Sequence, residues 1–351
     1  LKVLAVQSGG PSPGSNSVLA GVGLSLSRSN DELWGAVGGF PGLIKGDVVK
    51  LTGQAGFWQE LARSGAPYLR TSRDKLKGAL ESLQHLDFDG AVVIGGEGTL
   101  EFVRQAEVHV HFPLIFVPKT IDNDLGPSHH DLGFPTAATQ SVKAAVSVRY
   151  DMSSYDGYVD VEILQLMGRD AGWLALSCAA AGRFSPDLYI IPEASPIDHS
   201  DELVREVKEA VNSKGKALVA VSEGVGYSAD FRLANGGERV RALLEGMKTR
   251  VEIPGVLIRT YVPVSIDVRE GIALGRQAVD LLRSGRSALL SLLPPDQRRG
   301  AELAEPLSLA SGVKRVLPRK FFNGFLPTDD FLDYMASMRI HARALGLPPL
   351  H

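Results

Sequence analysis

Cysteine is nearly absent from this chain: Cys178 is the only one. That excludes an intramolecular disulfide and any cysteine-built metal cluster, and it suits a reducing compartment. No apolar run reaches the roughly 20 residues of a membrane span, and no signal peptide precedes the first strand, so membrane partners are not expected and a cytoplasmic location is. Neither sign of charge dominates. The 37 basic and 40 acidic side chains leave a net charge of −3, which offers no polybasic case for nucleic acid or an anionic membrane. Internal repeats and low-complexity linkers are missing, as are the dinucleotide fingerprint and the Gly-Lys-Ser/Thr of a Walker loop. The chain starts at Leu1 with a strand already under way, and a short leader is expected ahead of it.

What is present is a regular alternation. At 351 residues, 44% hydrophobic and 22% charged, the chain can bury a sizeable core and is expected to divide into two domains. Apolar, β-branched runs recur at residues 3–6, 91–94, 114–117, 161–166 and 217–221. Each leads into a glycine-containing turn or polar loop and then a helix-like stretch, such as the amphipathic residues 201–211 with acidic residues leading. Strand alternating with helix predicts an α/β protein with mainly parallel sheets covered on both faces. Ligands of such folds sit beyond the C-terminal strand ends, so the loops there deserve the closest reading. Residues 131–155, helical in their middle, are expected to cross between domains.

The strand at 114–117 exits into Pro118-Lys119-Thr120-Ile121-Asp122-Asn123-Asp124. Two carboxylates, an amide, a hydroxyl and an ammonium are of no use to a buried strand. They suit phosphoryl transfer to an alcohol, which needs a base, a carboxylate for Mg²⁺ and a cation for developing charge. Asp and Asn clusters also make ordinary Asx turns, and loops carry both turns and sites. After the first strand comes the loop of residues 8–16, with Gly9, Gly10 and Gly14 ahead of a helix-like segment. Its glycines allow close backbone approach and the helix start offers N–H groups to a phosphate, although a tight connection alone would look the same. A further loop, Gly95-Gly96-Glu97-Gly98-Thr99, joins glycines, a carboxylate and a hydroxyl at a helix start. It suits a polyphosphate with its Mg²⁺, or helix capping and first-turn roles, or both.

Taken together, these loops resemble the phosphofructokinase family, and the resemblance runs over essentially the whole chain. The family's Gly-Gly-Asp-Ala-Pro-Gly-Met-Asn appears as residues 9–16, with Pro11, Ser12 and Ser15 substituted. Its Gly-Gly-Asp/Glu-Gly/Asp-Ser/Thr loop is residues 95–99, and Thr-Ile-Asp-Asn-Asp is intact at 120–124. Met167-Gly168-Arg169 is intact, and Pro192-Glu193 and Ser222-Glu223-Gly224 match two further elements.

The resemblance implies a glycolytic kinase that transfers the terminal phosphoryl group of ATP or pyrophosphate to the 1-hydroxyl of fructose 6-phosphate or a related sugar phosphate, with Mg²⁺ as cofactor. By that resemblance Asp122 is the base, Arg169 steadies charge on the transferring group, and Thr120 positions oxygens. Glu97 and Asp124 serve Mg²⁺. Gly10, Phe40, Arg73, Glu97, Gly98, Thr99 and Lys119 bind the donor, Phe40 beside the adenine and Arg73 on donor phosphate. Thr120, Asp122, Met167, Gly168, Arg169 and Glu223 hold the sugar, with Arg259 or Arg269 as a replacement cation. On the donor, Gly98 favours ATP, because pyrophosphate-using members usually carry Asp there. Lys119 is typical of pyrophosphate enzymes, but a branch of ATP-dependent members also pairs this lysine with Gly-Gly-Glu-Gly-Thr, so it is compatible with either.

The acceptor side departs further from the family. Asp160 stands where an arginine commonly reaches a neighbouring subunit's sugar 6-phosphate, and a carboxylate there repels phosphate. Gln-Arg-Gly-Gly is missing, and the usual Gly-Phe-Asp reads Gly133-Phe134-Pro135. Three functions therefore stand open: an ATP-dependent enzyme, a pyrophosphate-dependent one or a kinase for another sugar, and a non-catalytic regulatory member. The resemblance also implies a homo-oligomer, dimer or tetramer. It implies two Rossmann-like α/β domains with the active site in the cleft between them: a larger donor-binding domain, residues 1–135 plus about 268–310, and a smaller sugar-phosphate domain, 136–267 plus about 311–351. Glu193 matches an effector-site element of some members.

Overall fold

The computed structural model describes residues 1–73, 78–126, 128–194, 200–226, 235–294, 303–307 and 315–346. The chain forms two compact units: Leu1–Thr136 with Arg259–Arg315, and Ala137–Ile258 with Val316–His351. Residues 259–267, expected in the second domain, belong to the first unit instead. The reason is local. The Asp267 carboxylate accepts N–H bonds from Gly133 at 2.7 Å and Thr136 at 2.9 Å, and the Val264 N–H donates to Thr136 Oγ1 at 2.9 Å. The boundary expected at 310–311 lies outside the described residues.

The first unit is built on strands β1 (Lys2–Gln7), β2 (Glu32–Ala36), β3 (Val48–Leu51), β4 (Gly90–Gly95), β5 (Leu114–Thr120), β6 (Leu132–Gly133), β11 (Ala288–Ser291) and β12 (Leu303–Glu305). They form one sheet in the order β12-β11-β5-β4-β1-β2-β3, with β6 pairing on β5. Pairing is parallel except at the margins, where β2 with β3 and β11 with β12 run antiparallel. Side chains alternate between the two faces of a strand, and here each face has its own core. Val3, Ala5, Val92, Ile94, Ile115 and Val117 pack on one side, under the helices Ser15–Leu26 and Ser265–Arg283. Leu4, Val6, Ala91, Val93, Leu114 and Phe116 pack on the other, with the helix Glu97–Glu107. Burial on both faces is why these strands read as unbroken apolar runs.

The second unit has an all-parallel sheet of β7 (Val161–Leu166), β8 (Leu188–Ile190), β9 (Ala217–Ser222) and β10 (Thr249–Glu252), in the order β10-β7-β9-β8. Its apolar core draws Val161, Ile163, Val219 and Val221 together with Leu203 and Val207 of the helix Ser200–Lys214. A separate aromatic group joins Trp173 with Phe321 and Tyr334 at ring-centroid distances of 5.9 and 5.4 Å. The helix Phe134–Ser153 carries the chain from residues of the first unit into the second. Among the described residues no helix is long and apolar enough to cross a membrane.

Candidate active site

The strand order of the first unit reverses between β1 and β4: β2 and β3 lie on one side, β5 and β11 on the other. Loops that leave neighbouring parallel strands at such a point part company and open a crevice. The glycine loops after β1 and β4 flank this point and are bonded to each other. The Ser8 N–H donates to the Ile94 carbonyl at 2.9 Å, and Thr99 Oγ1 donates to Ser8 Oγ at 3.1 Å. Thr99 is buried, whereas Glu97 and Gly98 stand exposed in the first turn of the helix Glu97–Glu107. That helix has no side-chain cap. A Cβ built on Gly98 meets nothing within 4 Å, so the space above it is open.

β5 runs on through Thr120, so Lys119 belongs to the strand and not to the loop after it. Its side chain is 4% exposed, and Nζ donates to the carbonyls of Ser8 at 2.9 Å and Gly10 at 2.6 Å. An ammonium has three N–H donors; two of them hold the first glycine loop. Burial pushes this ammonium down to about 7, with Arg73 adding to the push and Asp122 opposing it. Arg73 lies over the same loop: a Cβ on Gly10 would come within 2.3 Å of its Nη2. Gly10, Lys119 and Arg73 are therefore one cluster, and any side chain at Gly10 would have to push the Arg73 guanidinium aside.

Beyond Thr120, the Asp122 N–H donates to Thr120 Oγ1 at 3.1 Å. Asn123 adopts a left-handed backbone, φ +56°, which turns the chain sharply between the two aspartates. Asp122 is part-buried and Asp124 nearly buried. Among the described residues no three His, Cys, Asp or Glu side chains converge as a metal-holding group. Mg²⁺ is a hard ion that keeps its waters and takes one or two carboxylates plus substrate phosphates, and Asp124 and Glu97 are carboxylates of that kind.

In the second unit the loops after β7 and β9 meet in the same way, at the centre of the sheet. The Arg169 N–H donates to Glu223 Oε1 at 3.1 Å, and Ser222 Oγ donates to the Ala171 carbonyl at 3.2 Å. Arg169 takes φ +51° and Gly168 φ +128°. Left-handed conformations of non-glycine residues tend to gather at functional sites. Here Asn123 and Arg169 both lie in expected site loops, and Arg70, φ +61°, lies just ahead of Arg73. Met167 is part-buried, and the Arg169 side chain is exposed.

Other expected residues turn out differently. Phe40 is 1% exposed and packs edge-on against Phe102, with ring centroids 4.8 Å apart. A ring so enclosed has no face to offer an adenine, so Phe40 is a core residue. Asp160 is occupied at the edge of the sheet, where its carboxylate accepts the Lys248 N–H at 2.8 Å and ties β7 to the chain entering β10. Glu193 accepts the Gly172 N–H at 3.1 and 3.0 Å, a structural task. Arg269 is 64% exposed, 3.9 Å from Glu270. Arg259 is part-buried, and its Nε has no hydrogen-bond partner among the described residues.

The sequence reading missed the buried polar groups behind the Asp122 loop. Asp131 accepts the Leu125 N–H at 2.9 Å, and Arg315 donates its backbone N–H to the Asp124 carbonyl at 2.6 Å. Asp267, wholly buried, also accepts from the Thr136 hydroxyl, and burial pushes its acid up to about 7 against those bonds. The signal for Asp267 was a carboxylate between Ile266 and Val268, which must be bonded if it is buried; Asp131, after Ser128-His129-His130, gave none.

Two parallel α/β units, each with bonded loops at its strand exits, define a class of proteins that bind ligands beyond the sheets' carboxyl ends. The family model described as Phosphofructokinase matches residues 2–282, and the chain belongs to the phosphofructokinase family. It is 32% identical over 297 residues to an ATP-dependent 6-phosphofructokinase of Shouchella clausii, covering 82% of this chain and 88% of that protein. To a pyrophosphate–fructose 6-phosphate 1-phosphotransferase of Dictyoglomus thermophilum it is 30% identical over 315 residues, again 82% and 88% of the two chains. Its fold matches the crystal structure of a pyrophosphate-dependent phosphofructokinase from Marinobacter aquaeolei with a TM-score of 0.84 at 23% identity, over 100% of this chain and 93% of that one.

Proposed function

We propose that the protein transfers the terminal phosphoryl group of ATP to the 1-hydroxyl of fructose 6-phosphate. The observation that carries this reading is the bonded cluster at the strand-order reversal: Gly10, Thr99, Lys119 and Arg73 around one crevice, with Asp122 at the adjoining strand exit. Backbone N–H groups and two cations would receive the donor phosphates. Asp122 takes the proton of the sugar hydroxyl while the hydroxyl oxygen attacks phosphorus, the bond to the leaving phosphate breaks, and the leaving group keeps that electron pair. Mg²⁺, which we expect to arrive with the donor, would neutralise phosphate charge, with Asp124 and Glu97 holding it directly or through water. On the second unit, Arg169 would meet the transferring group, with its loop held by Glu223, and Met167, Gly168 and Glu223 would receive the sugar. Relatives carrying both the ATP and the pyrophosphate names support this chemistry. A cytoplasmic homodimer or homotetramer goes with it.

Gly98 favours ATP, since the open space above it admits a nucleotide. Gly98→Asp is expected to weaken ATP affinity at least tenfold by setting a carboxylate against the α-phosphate; titration calorimetry that finds unchanged affinity removes the argument. Lys119, which braces the first glycine loop through the Ser8 and Gly10 carbonyls, is compatible with either donor. The test is a screen of ATP and pyrophosphate, each with fructose 6-phosphate and related sugar phosphates in the presence of Mg²⁺. Turnover with ATP and fructose 6-phosphate is expected. Turnover with pyrophosphate alone reverses the donor assignment. Phosphate binding without turnover supports a regulatory member.

A further inference from the structure

The chain leaves β5 at Thr120, makes the excursion that bears Asp122 and Asp124, and returns to the same strand as β6, where Lys119 pairs with Leu132 and Thr120 with Gly133. Asp131 is the residue that closes this excursion, and it is wholly buried. It reaches the loop with both its backbone and its side chain. Its N–H donates to Asn123 Oδ1 at 2.9 Å, and its Oδ2 accepts the Leu125 N–H at 2.9 Å. Asp131 therefore bonds the residues on either side of Asp124 and clamps the left-handed Asn123 turn. Arg315 adds a second strap. Its backbone N–H donates to the Asp124 carbonyl at 2.6 Å, and its Nη1 donates to the Ser128 carbonyl at 2.6 Å.

We propose that Asp131, seconded by Arg315, is a positioning residue that holds Asp122 and Asp124 in register for phosphoryl transfer. The proposal rests on the phosphotransferase reading above. A left-handed turn keeps one geometry when its surroundings hold it there, and the bond from the Asp131 N–H to Asn123 Oδ1 does so here. A turn between a base and a metal carboxylate also has little tolerance, since a misplacement of about 1 Å can cost roughly 10²-fold in rate. Burial pushes the Asp131 acid up to about 8, against the pull of Arg315 and the Leu125 N–H.

The test compares Asp131→Ala with Asp131→Asn in the whole protein. Steady-state kinetics and the Mg²⁺ concentration for half-maximal rate are measured, together with deuterium uptake over residues 120–126. Asp131→Ala is expected to lower kcat by about 10–10²-fold, to raise the Mg²⁺ requirement and to speed exchange in the loop, with donor and sugar KM nearly unchanged. Asp131→Asn, whose carboxamide oxygen can accept the Leu125 N–H, should stay within about threefold of wild type on every readout. An Asp131→Ala protein with wild-type kcat and Mg²⁺ requirement overturns the proposal. So does an equal loss in both variants with the Mg²⁺ requirement unmoved, which is what a merely structural role would give. If the alanine variant fails to fold, exchange in the wild type decides: a Leu125 amide as fast as an unstructured one overturns the clamp. A wild type inactive with every donor and acceptor pair overturns the phosphotransferase reading, and the positioning role with it.

Discussion

Asp122→Asn is expected to bind donor and sugar phosphate as the wild type does and to lose about 10²–10⁴-fold in kcat, the range that general-base assistance supplies. The substitution keeps the size of the side chain. It also leaves the N–H bond from residue 122 to Thr120 Oγ1, since that bond is made by the backbone. What disappears is the acceptor for the hydroxyl proton. The residual rate should be set by positioning and charge neutralisation, which in phosphoryl transfer carry most of the acceleration. Steady-state kinetics and calorimetric binding separate the two effects. A near-wild-type kcat removes Asp122 as base; lost binding with kcat intact would make it a binding residue.

The second large effect is expected from a methyl group on the other unit. A Cβ on Gly224 would lie 1.8 Å from the Arg169 carbonyl oxygen and 2.5 Å from its carbonyl carbon, both backbone atoms that cannot rotate away. Gly224→Ala must therefore displace the loop that carries Arg169 or the one that carries Glu223. A stability loss of about 1–3 kcal/mol is expected from the overpacking, and a fall in kcat of about 10²-fold from moving the arginine. Gly56→Ala is the matched control. It lies in the helix Ala55–Leu61 with nothing within 4 Å of its Cβ, and should be neutral or slightly stabilising. Thermal melts and kinetics on both variants check this. Wild-type activity in Gly224→Ala would mean that the Arg169 loop yields without cost to the transfer.

Much of the site was legible because its elements are local in sequence. Glycines, carboxylates and a lysine crowd the strand exits, and strands buried on both faces announce themselves as apolar runs. The short antiparallel margin strands escaped the reading. β3 is part-exposed and only four residues long, and Lys50 interrupts its apolar residues. Phe40 could not be placed from sequence, because an aromatic beside a glycine turn reads the same whether it faces a ligand or packs on Phe102. Asp160 was read by its charge against a sugar phosphate, yet its carboxylate is taken up by the Lys248 N–H, far along the chain. The same distance hid the attachment of residues 259–267 to the first unit through Asp267.

The order of residues was enough to establish the alternating α/β pattern, the family, and the identity of the groups in each loop, since all of these depend on short-range spacing and on which side chains are present. Tertiary structure decided which of those groups meet. It tied Lys119 to the first glycine loop, gave the Arg169 N–H to Glu223, sent Phe40 into the core, and set Asp131 and Arg315 behind the Asp122 turn. Each of these outcomes depends on strand order and on hydrogen bonds between residues remote in sequence, and no local pattern encodes them.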